Sequence, residues 1–235
     1  MISGVAVING EGRMQPGVFP GRWSPRRSIP LDIEPAATAA ATALMEAGWW
    51  QPGTGKEVAG GLVVACDGAS LAPALRFARE LRDRPEGAKG PSDFLFSLPS
   101  SVAATLGLLF GLTDYQSTLV GSRDSAVRAL RHATDLIALG RVPRMLLVAL
   151  SVTPGERSAV AWCLDPLVPG GRYPVRIESG FPADRLPTTI SASLPAANGL
   201  LRDASTWLLS QRGSSLVTFE ASDAHAWIRL EWKGN

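Results

Sequence analysis

Few side chains in this sequence have the chemistry of a nucleophile or a general base. Among its 235 residues there are two cysteines, Cys66 and Cys163, and two histidines, His132 and His225. Both cysteines stand in apolar runs, which favours small buried thiols over a disulfide or a metal site. His132 has no cysteine, serine or carboxylate pair at motif spacing, and a surface role is favoured for His225. We therefore expect no metal site and no cofactor.

The serines give no catalytic signature either. Ser100, Ser101, Ser122 and Ser125 lack the G-x-S-x-G turn of the serine hydrolases. The glycine-containing stretch QPGTGKE lacks the first glycine and the Ser or Thr of a phosphate-binding loop.

The position best suited to chemistry is a turn between a strand and a helix. The pattern predicts a short strand over Gln116 to Val120 and a helix over Asp124 to Leu139. Backbone N–H groups and the positive end of the helix dipole converge where such a helix begins, which favours a nucleophile there. Ser122 and Arg123 occupy the turn instead.

The helix after this turn is predicted to have one charged face. Its two faces are Arg128, Arg131, His132 and Asp135 on one side, and Val127, Leu130, Ala133 and Ile137 on the other. The spacing of both sets fits an amphipathic helix. The charged face predicts that one side of the helix is uncovered, or is covered by a partner of complementary charge.

The surrounding segments alternate between strand and helix, which predicts an α/β fold. Strands are predicted at 5–8, 61–66, 144–152, 158–164 and 173–178, helices at 34–47, 70–82, 101–110 and 196–211, and a terminal hairpin at 216–221 and 224–232. The helix at 70–82 carries an apolar stripe of Leu71, Leu75, Phe77, Ala78 and Leu81. No repeat of the first half is visible in the second.

Composition is that of an ordinary soluble protein. Apolar residues make up 46% and charged residues 19%, with a net charge of +2, and nothing indicates binding to nucleic acid. No signal peptide is evident, and the apolar runs are too short to span a bilayer. We expect a cytoplasmic protein.

Taken in order, these segments resemble a known family. The run FSLPSSVAATLGLLFGL, a Ser-Thr strand, a helix ending in DLIALG and the strand MLLVAL are similar to the amino-terminal half of the β-ketoacyl-carrier-protein synthases. The resemblance covers about Gly4 to Asp165. It implies half of a thiolase-like fold, with a mixed sheet flanked by helices, and a short carboxy-terminal extension of a helix and a hairpin. We expect a single domain over 1–235, with a ketosynthase-like part at 1–165 and the extension at 166–235.

The resemblance also implies that catalysis has been lost. In that family the strand-to-helix turn carries the catalytic cysteine, and Arg123 stands at the matching position. No cysteine lies between Asp67 and Trp162, and a guanidinium stays protonated and cannot attack a thioester. The two catalytic histidines of the family's second half have no counterpart either. The chain is therefore expected to be a non-catalytic subunit, similar to the chain-length factors of polyketide and aryl-polyene-type pathways.

Candidate partners follow from the same resemblance. In thiolase-fold dimers the strand before the nucleophile pairs with its counterpart across the two-fold axis. Here that strand holds Gln116, Ser117, Thr118, Leu119 and Val120, and we expect Ser97 to Phe110 and Phe96 to assist it. The turn residues Ser122, Arg123 and Asp124 complete the candidate site, with Arg123 either binding a ligand or bridging to Asp124. The expected partner is a full-length ketosynthase or a second copy, with an acyl carrier protein as a further candidate.

Two alternatives stay open at this point. One is an acyl-thioester hydrolase or transferase that uses Cys66 or a serine. The other is a self-associating acyl-binding scaffold without a ketosynthase partner. The cluster of Arg22, Arg26 and Arg27 is a candidate contact for a phosphate or a carrier protein, or else part of a solvated loop.

Overall fold

The computed structural model describes residues 2–9, 29–53, 58–84, 91–121, 125–166, 175–180, 190–192, 203–206, 215–221 and 227–232. The strands are β1 (Ile2–Asn9), β2 (Gly61–Asp67), β3 (Tyr115–Val120), β4 (Met145–Thr153), β5 (Glu156–Leu164), β6 (Val175–Gly180), β7 (Ile190–Ala192), β8 (Ser215–Ala221) and β9 (Trp227–Trp232). The helices are α1 (Glu34–Glu46), α2 (Leu71–Asp83), α3 (Pro91–Phe96), α4 (Ser100–Phe110) and α5 (Ser125–Ala138). Residues 203–206 form one further helical turn.

The first sheet contains five strands in the order β1-β5-β4-β2-β3. β2 pairs in parallel with β3 and β4, whereas β5 pairs antiparallel with β4 and β1. The sheet is therefore mixed, with helices on both faces, as predicted. Its central strands are buried on both sides, and this explains why their sequences are continuous apolar runs rather than alternating ones.

Each face of this sheet has its own core. Leu62, Val64 and Cys66 of β2 point toward α1 and α4, whereas Val63 and Ala65 point toward α5. This alternation follows from the two-residue period of a strand. On α5 the predicted apolar face is the one that lies against the sheet, and this leaves the predicted charged face on the outside.

The second sheet contains four strands in the order β6-β9-β8-β7. The β6–β9 and β9–β8 pairs are antiparallel, and β8–β7 is parallel. This is the order and direction of β1-β5-β4-β2 in the first sheet. The predicted terminal hairpin is present as β8 and β9, but the extension also includes β6 and the three-residue β7. Within the described residues, the second sheet has no strand corresponding to β3.

The two parts of the chain meet at a buried hydrogen bond. Trp162 Nε1 on β5 donates to Ser205 Oγ at 2.6 Å, and both residues are fully buried. Of the helix predicted over 196–211, only 203–206 lies within the described residues, and these residues are helical.

The helix α2 is amphipathic as predicted, but its apolar stripe does not enter the core. Leu71, Leu75 and Leu81 are exposed, and Pro73 is the one buried residue of the helix. α2 contacts α3 instead, through the Phe77 and Phe94 rings, whose centroids lie 5.3 Å apart. α1 and α4 provide the helical residues of the core on their face of the sheet, and no residue of α2 belongs to that core.

Candidate partner-binding site

The turn that carries Ser122, Arg123 and Asp124 lies outside the described residues. What can be described is the residue that follows it. Ser125 begins α5 and is buried. Its hydroxyl has no hydrogen-bond partner among the described residues, so the start of this helix contains a buried polar atom that the described part of the chain does not satisfy.

Neither cysteine is suited to act as a nucleophile. Cys66 on β2 and Cys163 on β5 are free thiols, and both are buried. Burial raises the pKa of Cys66 from its usual value of 9.0 to about 11 and raises the pKa of Cys163 well above 9.0. Because the thiolate is the nucleophilic form, the raised pKa values keep both side chains predominantly as neutral thiols at pH 7.

His132 is held by a tyrosine rather than by a catalytic partner. Its Nε2 and the Tyr115 hydroxyl are hydrogen-bonded at 2.7 Å, and both side chains are half-buried. This bond connects α5 to β3 through Nε2 of the imidazole. His225 lies outside the described residues.

β3 is an edge strand. Within the described part of the chain it pairs with β2 alone, over Tyr115 to Val120. An edge strand presents a row of backbone N–H and C=O groups to which another strand can be added. The edge position agrees with the prediction that Gln116 to Val120 form an interface edge, and their role as an interface stays a prediction.

A groove lies on each side of this edge. The polar groove, between β3 and α5, has a volume of about 480 Å³ and is lined by Ser117, Thr118, Leu119, Arg128, Arg131, His132 and Asp135. The apolar groove, between β3 and the α3–α4 segment, has a volume of about 300 Å³ and is lined by Leu95, Leu98, Ser100, Ser101, Ala103, Ala104, Gln116, Ser117 and Thr118. Ser117 and Thr118 line both grooves, so they lie at the centre of the candidate surface.

Exposed apolar side chains lie on β3 and on α4, the helix that packs against it. Leu108 on α4 is 73% exposed, and Val120 at the end of β3 is 62% exposed. Leu95 and Leu98, at the rim of the apolar groove, are also exposed. Sequence analysis included Leu98 and Leu108 within the assisting segment Ser97 to Phe110 but did not single them out. There was little reason in the sequence to select these two leucines as contact residues, because isolated leucines are common on protein surfaces.

Two predicted contact residues turn out to have structural roles. The Gln116 side chain donates from Nε2 to the carbonyl oxygen of Leu112 at 2.7 Å, so its amide ties β3 to the segment after α4. A Cβ on Gly107 would overlap this side chain. Phe96 is half-buried and packs against the core between the sheet and α1. Phe96 therefore supports the surface from below, whereas Gln116 both lines the apolar groove and anchors β3.

In the part of the chain that the structure describes, no group of three or more His, Cys, Asp or Glu residues could hold a metal ion. None of the described helices is long and apolar enough to cross a membrane.

A scan against protein-family models and a search of curated proteins gave no match. Solved structures do match. One is a chain of "AntDE:AntF", a type II PKS acyl-carrier protein in complex with its ketosynthase, with a TM-score of 0.72, 12% identity and coverage of 100% of this chain and 99% of that chain. Another belongs to the ishigamide ketosynthase/chain length factor, with a TM-score of 0.65, 14% identity and coverage of 86% and 80%.

A third similar structure is the ketosynthase ApeO in complex with its chain length factor ApeC from Xenorhabdus doucetiae. It aligns with a TM-score of 0.55 and 15% identity, over 84% of this chain and 77% of that chain. At these identities the similarity establishes the fold. The chain has the thiolase-like fold of ketosynthases and chain-length factors, and the fold predicted from the resemblance is confirmed.

Proposed function

We propose that this chain is a non-catalytic cytoplasmic subunit, similar to a chain-length factor, that pairs with an active β-ketoacyl synthase through β3. The observation that carries the proposal is the edge of β3, which pairs with no strand other than β2 among the described residues and has a groove on each side. Two of the similar structures are ketosynthases together with their chain length factors. The pathway would be of the fatty-acid, polyketide or aryl-polyene type.

The absence of catalysis is supported by the sequence and by the thiols. Arg123 stands where the resemblance places the nucleophile, and both cysteines are buried with raised pKa values. An acyl carrier protein is a further candidate partner, since one of the similar structures contains one with its ketosynthase.

Strand pairing can be tested with a charged residue at the centre of the edge. Thr118→Lys places a cation between the two grooves, and lysine on an edge strand opposes the addition of another strand. We expect the co-expressed ketosynthase to elute with the wild-type chain on size exclusion and to separate from the variant. Thr113→Lys is the matched control, because Thr113 is exposed and precedes β3.

The control should elute with the ketosynthase as the wild type does. Co-elution of Thr118→Lys would show that β3 is not the contact. A stable homodimer of the wild type that ignores the ketosynthase would favour the scaffold alternative.

The enzyme alternative is tested by single-turnover labelling with acyl and malonyl thioesters. We expect no acylated protein by intact-mass spectrometry. A covalent adduct that disappears in Cys66→Ala, or in a serine variant, would overturn the non-catalytic assignment.

A further inference from the structure

We propose that the ketosynthase subunit covers the exposed leucines of α2 as well as the edge at β3, so that the contact between the two proteins extends across α4 and α3 to α2. This inference rests on the proposed function, because it names a second part of the surface that the ketosynthase would bury.

The described residues at the edge are too few for a stable interface by themselves. The polar groove is lined by seven residues and the apolar groove by nine, and Ser117 and Thr118 belong to both. A stable protein–protein interface includes about 20–30 residues on each side and buries roughly 800 Å² of each partner. A partner that pairs with β3 must therefore contact further residues of this chain.

Exposed apolar side chains indicate the direction in which the contact extends. Within the described part of the chain, eleven large apolar side chains are exposed, and eight of them lie within 71–110 or on β3. Five of the eight are Leu71, Leu75 and Leu81 on α2, and Phe94 and Leu95 on α3. Single exposed leucines are normal, whereas a cluster of exposed apolar side chains marks a binding surface.

The helices that carry these side chains form a continuous path from the edge. α4 packs against β3, α3 against α4, and α2 against α3. The rings of Phe77 and Phe94 make the last of these contacts, together with Arg76, whose Nη2 donates to Asp93 Oδ1 at 3.1 Å. Leu95 of α3 also lines the apolar groove beside β3. α3 therefore joins the apolar groove to α2.

The apolar face of α2 points away from the core. Leu71 and Leu75 lie on the side of the helix opposite Pro73, which is its buried residue. Leu81 lies one turn after Phe77 and is therefore next to the contact with α3. The exposed apolar face thus begins at α3 and continues around the helix to its outer side.

An apolar protein surface fits this face better than a lipid surface does. The charged residues of α2 are three arginines and two carboxylates, Arg76, Arg79, Arg82, Glu80 and Asp83. A helix that binds anionic lipid carries a clear excess of cations on its polar face, and α2 does not have one. The fitting surface is a helix or a loop of the ketosynthase with large apolar side chains.

Strand pairing brings such a surface within reach of α2. A strand added at β3 extends the first sheet, and helices cover both faces of a sheet of this kind. The helical layer of the partner would lie beside α4 and α3, on the face that holds the apolar groove. Its apolar residues could then cover the leucines of α2.

Substitution of two leucines tests the inference. Leu75 and Leu81 are 48% and 45% exposed, so their replacement leaves the core intact. In Leu75→Gln, Leu81→Gln we expect the affinity for the ketosynthase to fall by about 30-fold, because the apolar area that binding would bury is lost at both positions. Sedimentation velocity with one labelled component measures the affinity, and amide hydrogen exchange over 71–83 should slow in the wild-type complex.

The matched control makes the same change at two other leucines. Leu31 and Leu139 are 68% and 72% exposed, and neither lies on β3 or α2–α4 or is among the described residues that line the grooves. Leu31→Gln, Leu139→Gln should bind the ketosynthase within about threefold of the wild type. If the α2 variant does not fold, Leu75→Ala, Leu81→Ala replaces it, because alanine favours a helix, and the expected loss is about tenfold.

The outcomes separate this inference from the proposed function. If Thr118→Lys abolishes ketosynthase binding and the α2 variant binds as tightly as the wild type, the extension to α2 is wrong and pairing through β3 stands. If the α2 variant alone loses binding, pairing through β3 is wrong and the contact at α2 stands. If neither loses binding, both are wrong.

Other occupants of α2 have their own signatures. A wild-type chain that self-associates more tightly than it binds the ketosynthase, and that becomes monomeric in Leu75→Gln, Leu81→Gln, would overturn the inference in favour of a second copy. Binding to vesicles of anionic lipid that the same variant abolishes would overturn it in favour of a membrane. Unchanged hydrogen exchange over 71–83 in the complex would overturn it as well.

Discussion

The helices α1 and α2 each contain 13 residues and lie on either side of β2 in the chain, yet they differ in burial. Eight residues of α1 are buried, and most of them are alanines. In α2 only Pro73 is buried. Small alanine side chains let α1 approach the sheet closely, whereas the leucines of α2 are exposed beyond it. The difference teaches that α1 completes the core on its face of the first sheet, whereas α2 contributes nothing to that core and leaves its leucines exposed.

This comparison predicts that substitutions on the α1 side change stability and that those on the α2 side leave the free energy of unfolding almost unchanged. The predictions that follow test it, beginning with the junction that places α2 outside the core.

The largest effect is expected at Gly68, which connects β2 to α2. Its φ is +75°, and a Cβ there would overlap the carbonyl oxygen of Val152. Gly68→Ala should lower the free energy of unfolding by about 3 kcal/mol or more, because it combines backbone strain with a clash. Urea unfolding followed by circular dichroism measures the change.

Gly53→Ala is the control that introduces the backbone strain of a positive φ without a steric clash. Gly53 has a φ of +78°, and a Cβ there would meet nothing within 4 Å. It should cost about 1 kcal/mol. An equal loss of stability for Gly53→Ala and Gly68→Ala would mean that the close approach of β2 to β4 at Gly68 adds nothing to the cost.

The next effect compares two leucines on the helices themselves. Leu44 on α1 is fully buried and Leu75 on α2 is exposed. Leu44→Ala should cost about 2–5 kcal/mol, because it leaves a cavity, whereas Leu75→Ala should change stability by less than about 0.5 kcal/mol. The urea midpoints of the two variants, each compared with the wild type, measure these changes in stability. A cost of several kcal/mol at Leu75 would show that α2 belongs to the core.

The smallest effect is expected in the pH dependence of the free energy of unfolding, and it comes from the buried thiol of Cys66. The pKa of Cys66 is raised to about 11 by burial, so the folded state keeps the thiol neutral at pH values where the unfolded chain ionises it. The stability that this supplies is present below pH 9 and is lost as the pH rises through about 11. A two-unit difference corresponds to about 2–3 kcal/mol.

Cys66→Ala should remove the loss of stability that ionisation of Cys66 causes at alkaline pH. The difference in stability between variant and wild type should therefore narrow between pH 8 and pH 11. Any loss of stability from the cavity that the substitution leaves is independent of pH. The pH dependence of the stability difference therefore reports the ionisation of the thiol alone. An unchanged difference across that range would show that Cys66 is not shielded from ionisation.

Long periodic segments were predictable from the sequence. α1, β2, α5 and β4 have continuous runs or clear helical faces, and each begins and ends within two residues of its prediction. The edge position of β3 came from the resemblance, because strand order depends on contacts far apart in sequence that no local pattern encodes. The charged face of α5 was predicted from spacing alone, and the structure places it on the polar groove.

Other features were not predictable, for physical reasons. β7 has three residues, too few for a period to show. The two sheets share a strand order, and this requires only that corresponding positions be buried to a similar extent. Unrelated residues meet that requirement equally well, so no repeat appears in the sequence. The exposed stripe of α2 has the composition of a core helix, and only the presence of α1 and α4 on the sheet decides that it lies outside. The turn with Arg123 stays a prediction.

Among the described residues, the second sheet ends at β7, where the first continues to β3. Under the proposed pairing, the first sheet would continue across the contact into the neighbouring protein, so that one hydrogen-bonded layer spans both subunits.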